Sequence, residues 1–322
     1  MTEARSDYRP TASWEHLRRR AELLRTVRGF FDQRGFLEVE TPLLSADTVV
    51  DRHLDPLPVA MSDTGSWWLQ TSPEFAMKRL LAAGATAIYQ ITRAFRGAEQ
   101  GPRHNPEFTL VEWYRVGDDM WQGMQLLDEL TQVTLGRGAA ERLSYAAAFQ
   151  RAVGLDPLLS PVAELAAAAR QHGLDPSGAW DPEDRDLWLD GLLVTCVEPL
   201  LGRDRPTLLY DYPASQAALA VVRDEPVPVA ERFELYVDGI ELANGYHELT
   251  DAAVLRARTR AANQARRADG KCALPEASRL LDAMDHGLPP ATGVALGFDR
   301  LVMVAVGARV LSEVWAFPID RA

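Results

Sequence analysis

The sequence predicts an α+β protein, a mostly antiparallel sheet flanked by helices, in a single catalytic-size domain spanning 1–322. Three observations carry this reading. Short segments rich in Ile, Tyr, Phe and Trp recur along the chain, most of them joined by connections too short for a parallel crossover. Segments with helical apolar periodicity lie between them and crowd into a mainly helical insertion around 120–205. Of the 322 residues, 47% are hydrophobic, enough for a sizeable core without disulfide staples.

The elements follow in order. Leu17, Leu23, Leu24, Val27, Phe30 and Phe31 fall largely on one face of a helix over 14–34, which leaves Arg18, Arg19, Arg20 and Arg25 for solvent. Gly35 ends it, and 36–41 alternates apolar with polar residues as a strand before Pro42. Further strands are expected at Trp67–Leu69, Ala87–Phe95, 108–115, 207–212, 233–237 and 240–243. Helices are expected at 73–83, Met120–Leu135, 144–153, 161–171 and 182–197, the last four making up the insertion, with a loop-rich stretch at 154–181. No internal repeat, low-complexity tract or flexible linker interrupts this order.

Charge and cysteine usage narrow the function. Lys and Arg total 34 against 46 Asp and Glu, a formal charge of −12, the wrong sign for a general nucleic-acid binder and better suited to a basic partner or cationic ligand. The two cysteines, Cys196 and Cys272, are far apart and belong to no Cys/His cluster, so neither a disulfide framework nor a structural zinc is expected. A polar N-terminus and the lack of a long apolar run point away from secretion and membranes and toward the cytoplasm.

Three segments carry chemistry. In the first, Asp238-Gly239 reads as a hairpin turn that sets Val237 against Ile240, Tyr236 against Glu241 and Glu234 against Ala243. Glu234 and Glu241 then share a face as diagonal neighbours, roughly 7–8 Å apart at Cα, and either hold magnesium with a polyphosphate or simply face solvent. In the second, strand alternation puts Phe108, Leu110, Glu112 and Tyr114 on one face, and both faces are apolar, so Glu112 is expected to be buried. A buried carboxylate needs a cation, either a substrate ammonium or, as the pattern alone favours, Arg115 or Arg93 of the protein. In the third, Thr292 to Met303 is glycine-spaced and runs into an apolar helix with Arg300 in its first turn, where a phosphate would offset the unfavourable helix dipole. The glycines match neither a P-loop nor a dinucleotide fingerprint.

Together these segments resemble motifs 1, 2 and 3 of the class II aminoacyl-tRNA synthetases. Motif 1 corresponds to Gly35-Phe36-Leu37-Glu38-Val39-Glu40-Thr41-Pro42, motif 2 to Phe95-Arg96 with Arg103-His104-Asn105-Pro106-Glu107-Phe108, and motif 3 to Gly297-Phe298-Asp299-Arg300. Through Ser72-Pro73-Glu74, 104–109 and 241–249 the chain is most similar to the lysyl-tRNA synthetase catalytic domain. A helix starting near Trp14 leaves no room for that enzyme's anticodon-binding barrel, so the chain is similar to the truncated family of elongation factor P (R)-β-lysine ligases. Ser72 and Ala295, where lysyl-tRNA synthetases usually have alanine and glycine, fit a pocket built for a shifted amino group.

The resemblance implies ATP and magnesium, an aminoacyl-adenylate, and transfer to a lysine side chain of elongation factor P rather than stable tRNA binding. It implies that Arg96 and Arg300 grip the ATP phosphates, helped by His104, Asn105 and Gly297, that adenine stacks on Phe108, and that Glu234 and Glu241 hold the metal. Ser72 and Glu74 would meet the amino group near the carboxylate, with Ala295 on the pocket floor, while Glu112, Tyr114, Asn244, Tyr246 and Glu248 take the ε-ammonium. The usual motif 2 Arg-x-Glu reads Arg96-Gly97-Ala98-Glu99 here, which leaves adenine recognition to a shifted Glu99 or to backbone groups. His247 reads as a packed histidine, and His16, His53, His172 and His286 have no ligand spacing. The family pairs through motif 1, which implies a homodimer. Use of α-lysine with tRNA or a small acceptor, and an inactive regulatory paralogue, are the alternative readings.

Overall fold

A computed structural model describes residues 8–61, 65–97, 99–174, 181–224 and 226–322. The first elements are helix α1 (Trp14–Asp32), short strands β1 (Leu37–Glu38), β2 (Leu44–Ser45), β3 (Pro58–Val59) and β4 (Trp67–Leu69), and helix α2 (Glu74–Ala82). The long hairpin β5 (Ala87–Phe95) and β6 (Glu107–Val116) leads to α3 (Met120–Leu135), β7 (Glu141–Ser144), α4 (Tyr145–Ala152), α5 (Val162–Gln171) and α6 (Arg185–Leu192). After β8 (Thr207–Pro213) and β9 (Val222–Arg223) comes a second hairpin, β10 (Val229–Val237) and β11 (Ile240–His247). Helices α7 (Ala252–Ala268) and α8 (Arg279–Gly287), strand β12 (Ala291–Gly297) and helix α9 (Phe298–Val306) complete the order.

The main sheet runs β1-β5-β6-β12-β11-β10-β8-β7, with β9 beside β10. It is antiparallel except where β1 joins β5 and β7 joins β8, and β2-β4-β3 forms a separate small sheet; no closed barrel forms among the described residues. One face is packed: Val111 and Trp113, Phe233 and Leu235, Val294 and Leu296 meet buried residues of α1, α3 and α9 in a single cluster. The opposite faces of β10, β11, β12 and β6 carry polar side chains, as antiparallel sheets with one solvated face commonly do. Phe31 locks α1 to this core, stacked on Tyr89 at 4.7 Å and against Trp113 at 5.1 Å.

Several expectations need correction. The strand expected over 36–41 is only Leu37–Glu38, since it pairs on one side alone and both residues are exposed. Arg20 is not a solvent residue: its guanidinium bonds Asp299 Oδ1 at 2.6 Å and Thr109 Oγ1 at 2.8 Å, over the Phe298 ring. Met120–Leu135 packs in the main core, whereas α4–α6 gather with β8 around Tyr145, Trp188 and Leu209 in a second cluster. The helix expected over 182–197 ends as a π turn, Leu193–Val197. The readings made on 1–7, on 175–180 and on Ala98 lie outside the described residues.

Candidate active site

The polar sheet face is built in rows. Glu234 of β10, Asn244 of β11, Ala295 of β12, Glu112 of β6 and Gln90 of β5 are successive register partners across the strands. The next row runs Arg232, Tyr246, Gly293, Tyr114 and Ile88. Residues from distant parts of the chain thus share one surface because strand alternation repeats every second residue.

The second hairpin turns as expected, with positive φ at Asp238 (54°) and Gly239 (72°) and Val237 opposite Ile240. Its register then shifts between Leu235 and Tyr236, so Glu234 faces Asn244 and not Ala243. The extra residue of β11 in this bulge turns Asn244 and Tyr246 to the face of Glu234 while Glu241 keeps it through its partner Tyr236. Asn244 Nδ2 donates to Tyr246 Oη at 2.9 Å, whereas Asn244 Oδ1 is buried and receives no hydrogen bond from the described residues.

Glu112 is 1% exposed, and among the described residues no arginine pairs with it. Ser72 Oγ and Tyr114 Oη each donate to its carboxylate at 2.7 Å. The arginines expected as partners are engaged elsewhere, Arg115 with Asp118 at 2.6 Å and Arg93 with Glu107 at 3.4 Å. Burial, and then the charge of Glu74, push Glu112 up to about 7. Beside it, the buried Lys78 ammonium lies 2.5 Å from Glu74 Oε1 and pairs with Glu248, which burial drives up to about 8 against the pull of Lys78. Ser72, Glu74, Glu112, Tyr114 and Glu248 therefore form one connected cluster, not two separate ends. Gly293 makes it possible, because a Cβ there would collide with Glu248 Oε1 and the Tyr114 ring.

At the other end of the face the Arg96 guanidinium lies 4.9 Å from the Phe108 ring centroid, and Glu99 reaches Arg96 at 3.6 Å. Arg96 Nε is buried and bonds to nothing in the described protein, a donor suited to an anion. Arg300, in the first turn of α9, donates to His104 Nε2 at 2.7 Å and to the Glu241 carbonyl at 3.0 Å, and its Nη1 lies 3.3 Å from Glu241 Oε2. Asn105 is used differently from its expected role: its amide donates to Glu107 O at 2.6 Å and accepts from Ile319 N at 3.0 Å, fastening the loop to the C-terminal tail. His247 bonds Glu231 at 2.5 Å, on the strand position between Tyr246 and Glu248.

A family model described as tRNA synthetases class II (D, K and N) matches residues 2–321. The chain belongs to the class II tRNA synthetases. It is 48% identical over 330 residues, all of both chains, to a protein of Hamiltonella defensa subsp. Acyrthosiphon pisum named elongation factor P–(R)-beta-lysine ligase. Proteins of the same name from Yersinia enterocolitica and Enterobacter sp. are also 48% identical, over 100% and 98% of both chains respectively.

This class II synthetase places further residues in the site that sequence reasoning passed over. Lys78 follows Glu74 by four positions on a helix, a spacing usually seen on exposed faces. Tyr212 and Tyr236 donate to Glu234 Oε2 at 2.5 and 2.6 Å and Arg232 bonds its Oε1 at 2.6 Å; Arg232, Glu234 and Tyr236 alternate along β10, the signal that could have found them. Glu198, brought in by the end of the insertion, lies 3.3 Å from the Tyr236 hydroxyl and is pushed up to about 7 by burial and by Glu241 and Glu234. Asp299 bonds Thr109 N at 2.7 Å and, with Arg20, fixes the start of α9.

The donor chemistry here fits magnesium. Glu234 and Glu241 offer hard carboxylate oxygens, and burial together with Glu234 raises Glu241, so a cation is welcome beside it. The described residues hold no preassembled group of three metal-capable side chains. Magnesium suits that sparse set, since it commonly takes one or two carboxylates and completes its shell with water and phosphate.

Proposed function

We propose that the chain activates (R)-β-lysine with ATP and transfers it, through the adenylate, to the ε-amino group of a lysine on elongation factor P. The observation that carries this is the buried Glu74–Lys78–Glu248 and Glu112–Ser72–Tyr114 cluster, a pocket richer in anions than in cations, beside an arginine-lined anion end on the same sheet face. The name shared by relatives 48% identical over their full lengths supports the same substrate pair.

In this reading the acids hold the amino groups and Asn244 Oδ1 accepts one more N–H, which fixes the carboxylate in line with the α-phosphate. Arg96 and Arg300 neutralise charge as two anions approach, and His104 orients Arg300. Phe108 gives the adenine a face on which Arg96 already lies, with Glu99 beside it. Magnesium, when bound, screens the polyphosphate, and Glu234 and Glu241 are the residues that would hold it. The acceptor amine, with an unperturbed pKa of about 10.4, must lose a proton before it attacks the anhydride.

The acidic chain suits a basic acceptor loop better than a tRNA backbone, and the enzyme is read as cytoplasmic. No helix among the described residues is long and apolar enough to cross a membrane. A homodimer through α1 and β1 accords with the exposure of Leu37 (63%) on β1 and of Trp14 (69%) at the start of α1. ATP–pyrophosphate exchange with (R)-β-lysine and α-lysine side by side tests the activation step: the β isomer is expected to support the faster exchange. Equal or better exchange with α-lysine would return the chain to the lysine-charging enzymes.

A further inference from the structure

Lys78 is 1% exposed, and a buried ion pair is seldom worth more to stability than an apolar side chain of the same volume. Its position calls for another reason. Its ammonium is shared between Glu74, in the preceding turn of α2, and Glu248, just past β11. Glu112 lies in the same cluster but takes its hydrogen bonds from neutral Ser72 and Tyr114. The other groups facing these acids do not change the charge count: the buried Tyr114 and half-buried Tyr246 are phenols held neutral, and Arg232 is committed to Glu234. Once all three acids are ionised, three carboxylates and one ammonium therefore leave two negative charges in excess.

An amino acid with a second ammonium group brings two positive charges to that pocket. We infer that Lys78 is an internal counter-cation that fixes the excess at two, and is thereby the positioning residue through which the pocket selects an amino acid carrying two ammonium groups. The inference rests on the proposed function and deepens it. Without Lys78, three acids would face two ammonium groups, and one acid would have to keep a proton or remain unpaired in a dry site. With Lys78 in place, Glu74 and Glu248 are already held and aimed on one ammonium before the substrate arrives, and Glu112 completes the pairing when it ionises.

The test is the pH dependence of kcat/KM for a diamino acid in ATP–pyrophosphate exchange, with the wild type, Lys78→Met and the double variant Glu74→Gln/Lys78→Met. The double variant restores an excess of two. In Lys78→Met the acid limb is expected to move up by about one pH unit or more, lowering kcat/KM at pH 7 about tenfold through KM, with kcat within about threefold. The double variant should bring the limb back toward the wild type, which loss of a purely structural contact would not do. If Lys78→Met does not fold, the double variant carries the test alone: a limb at the wild-type position supports the inference. A wild type that activates the diamino acid, with an unmoved limb in Lys78→Met or a limb still displaced in the double variant, overturns the role of Lys78 alone. A wild type that activates no diamino acid at any pH removes the functional reading and the charge matching with it.

Discussion

Glu112 shows how a single residue ties burial to recognition. Its carboxylate sits where water is excluded, and two neutral hydroxyls hold it without supplying the charge it needs. A charge-assisted hydrogen bond is worth about 1.5–3 kcal/mol, so Glu112→Gln should raise KM for the diamino acid by roughly ten- to a hundredfold in pyrophosphate exchange, with a smaller effect on kcat. The direction of the pH effect follows from Glu112 at about 7 and Glu248 at about 8. Both carboxyls are protonated below those values, so kcat/KM should fall as pH drops through this window. Their folded-state values lie above the unfolded ones, so the ligand-free protein binds more protons than the unfolded chain and loses stability as pH rises toward 8. A thermal-shift series should therefore show diamino acid stabilising the protein more at pH 8 than at pH 6. Gly293→Ala should abolish activation, since its Cβ would intrude on Glu248 and Tyr114. At this scale the sequence was informative where spacing is chemical: the Glu234 and Glu241 faces and the burial of Glu112 were legible. Its partner was not, because pattern alone cannot tell a protein arginine from a substrate ammonium, and Lys78 was hidden by a spacing typical of surfaces.

Each element that was missed or misread has a physical cause. Helix α7 buries Leu255, Thr259, Asn263 and Arg266 at helical spacing, but most of that stripe is polar, so no apolar periodicity marks it. Asn263 is wholly buried and exchanges two 2.8 Å hydrogen bonds with the backbone of Leu274. Asn263→Ala should therefore cost about 2–4 kcal/mol in denaturant unfolding, more than its small volume change implies. Strand β12 was read only as a glycine-spaced approach to α9, because Gly293, which has no room for a Cβ, and Ala295 lack β-forming side chains. The β10–β11 bulge was invisible for another reason: turn chemistry fixes the first pairs, whereas a shift two residues later depends on how the strands twist across the sheet. Helix α1 was legible nearly to its ends because its stripe is apolar. Phe31→Ala, which empties the centre of that stripe, should destabilise the fold by about 3–5 kcal/mol.

Across the whole molecule, one sheet separates stability from chemistry. Its packed face joins α1, α3 and α9 in a continuous core, and its polar face gathers residues from positions 72 to 300 of the chain. Helices α4–α6 build their own cluster on β8, whose Tyr212, with Glu198 from the turn after α6, backs the Glu234 carboxylate. Substitution in that cluster is thus expected to reach the site through Tyr212 without touching substrate. Light scattering should find a dimer, and a charge introduced as Leu37→Asp at the exposed edge should favour the monomer. The acidic chain is expected to serve transfer to a protein and not to tRNA. The most direct measurement is to supply labelled (R)-β-lysine and ATP with purified elongation factor P and, in parallel, with tRNA. Label on a lysine of elongation factor P and none on tRNA is the result expected of this acidic chain; label on tRNA, with the protein unmodified, would contradict it.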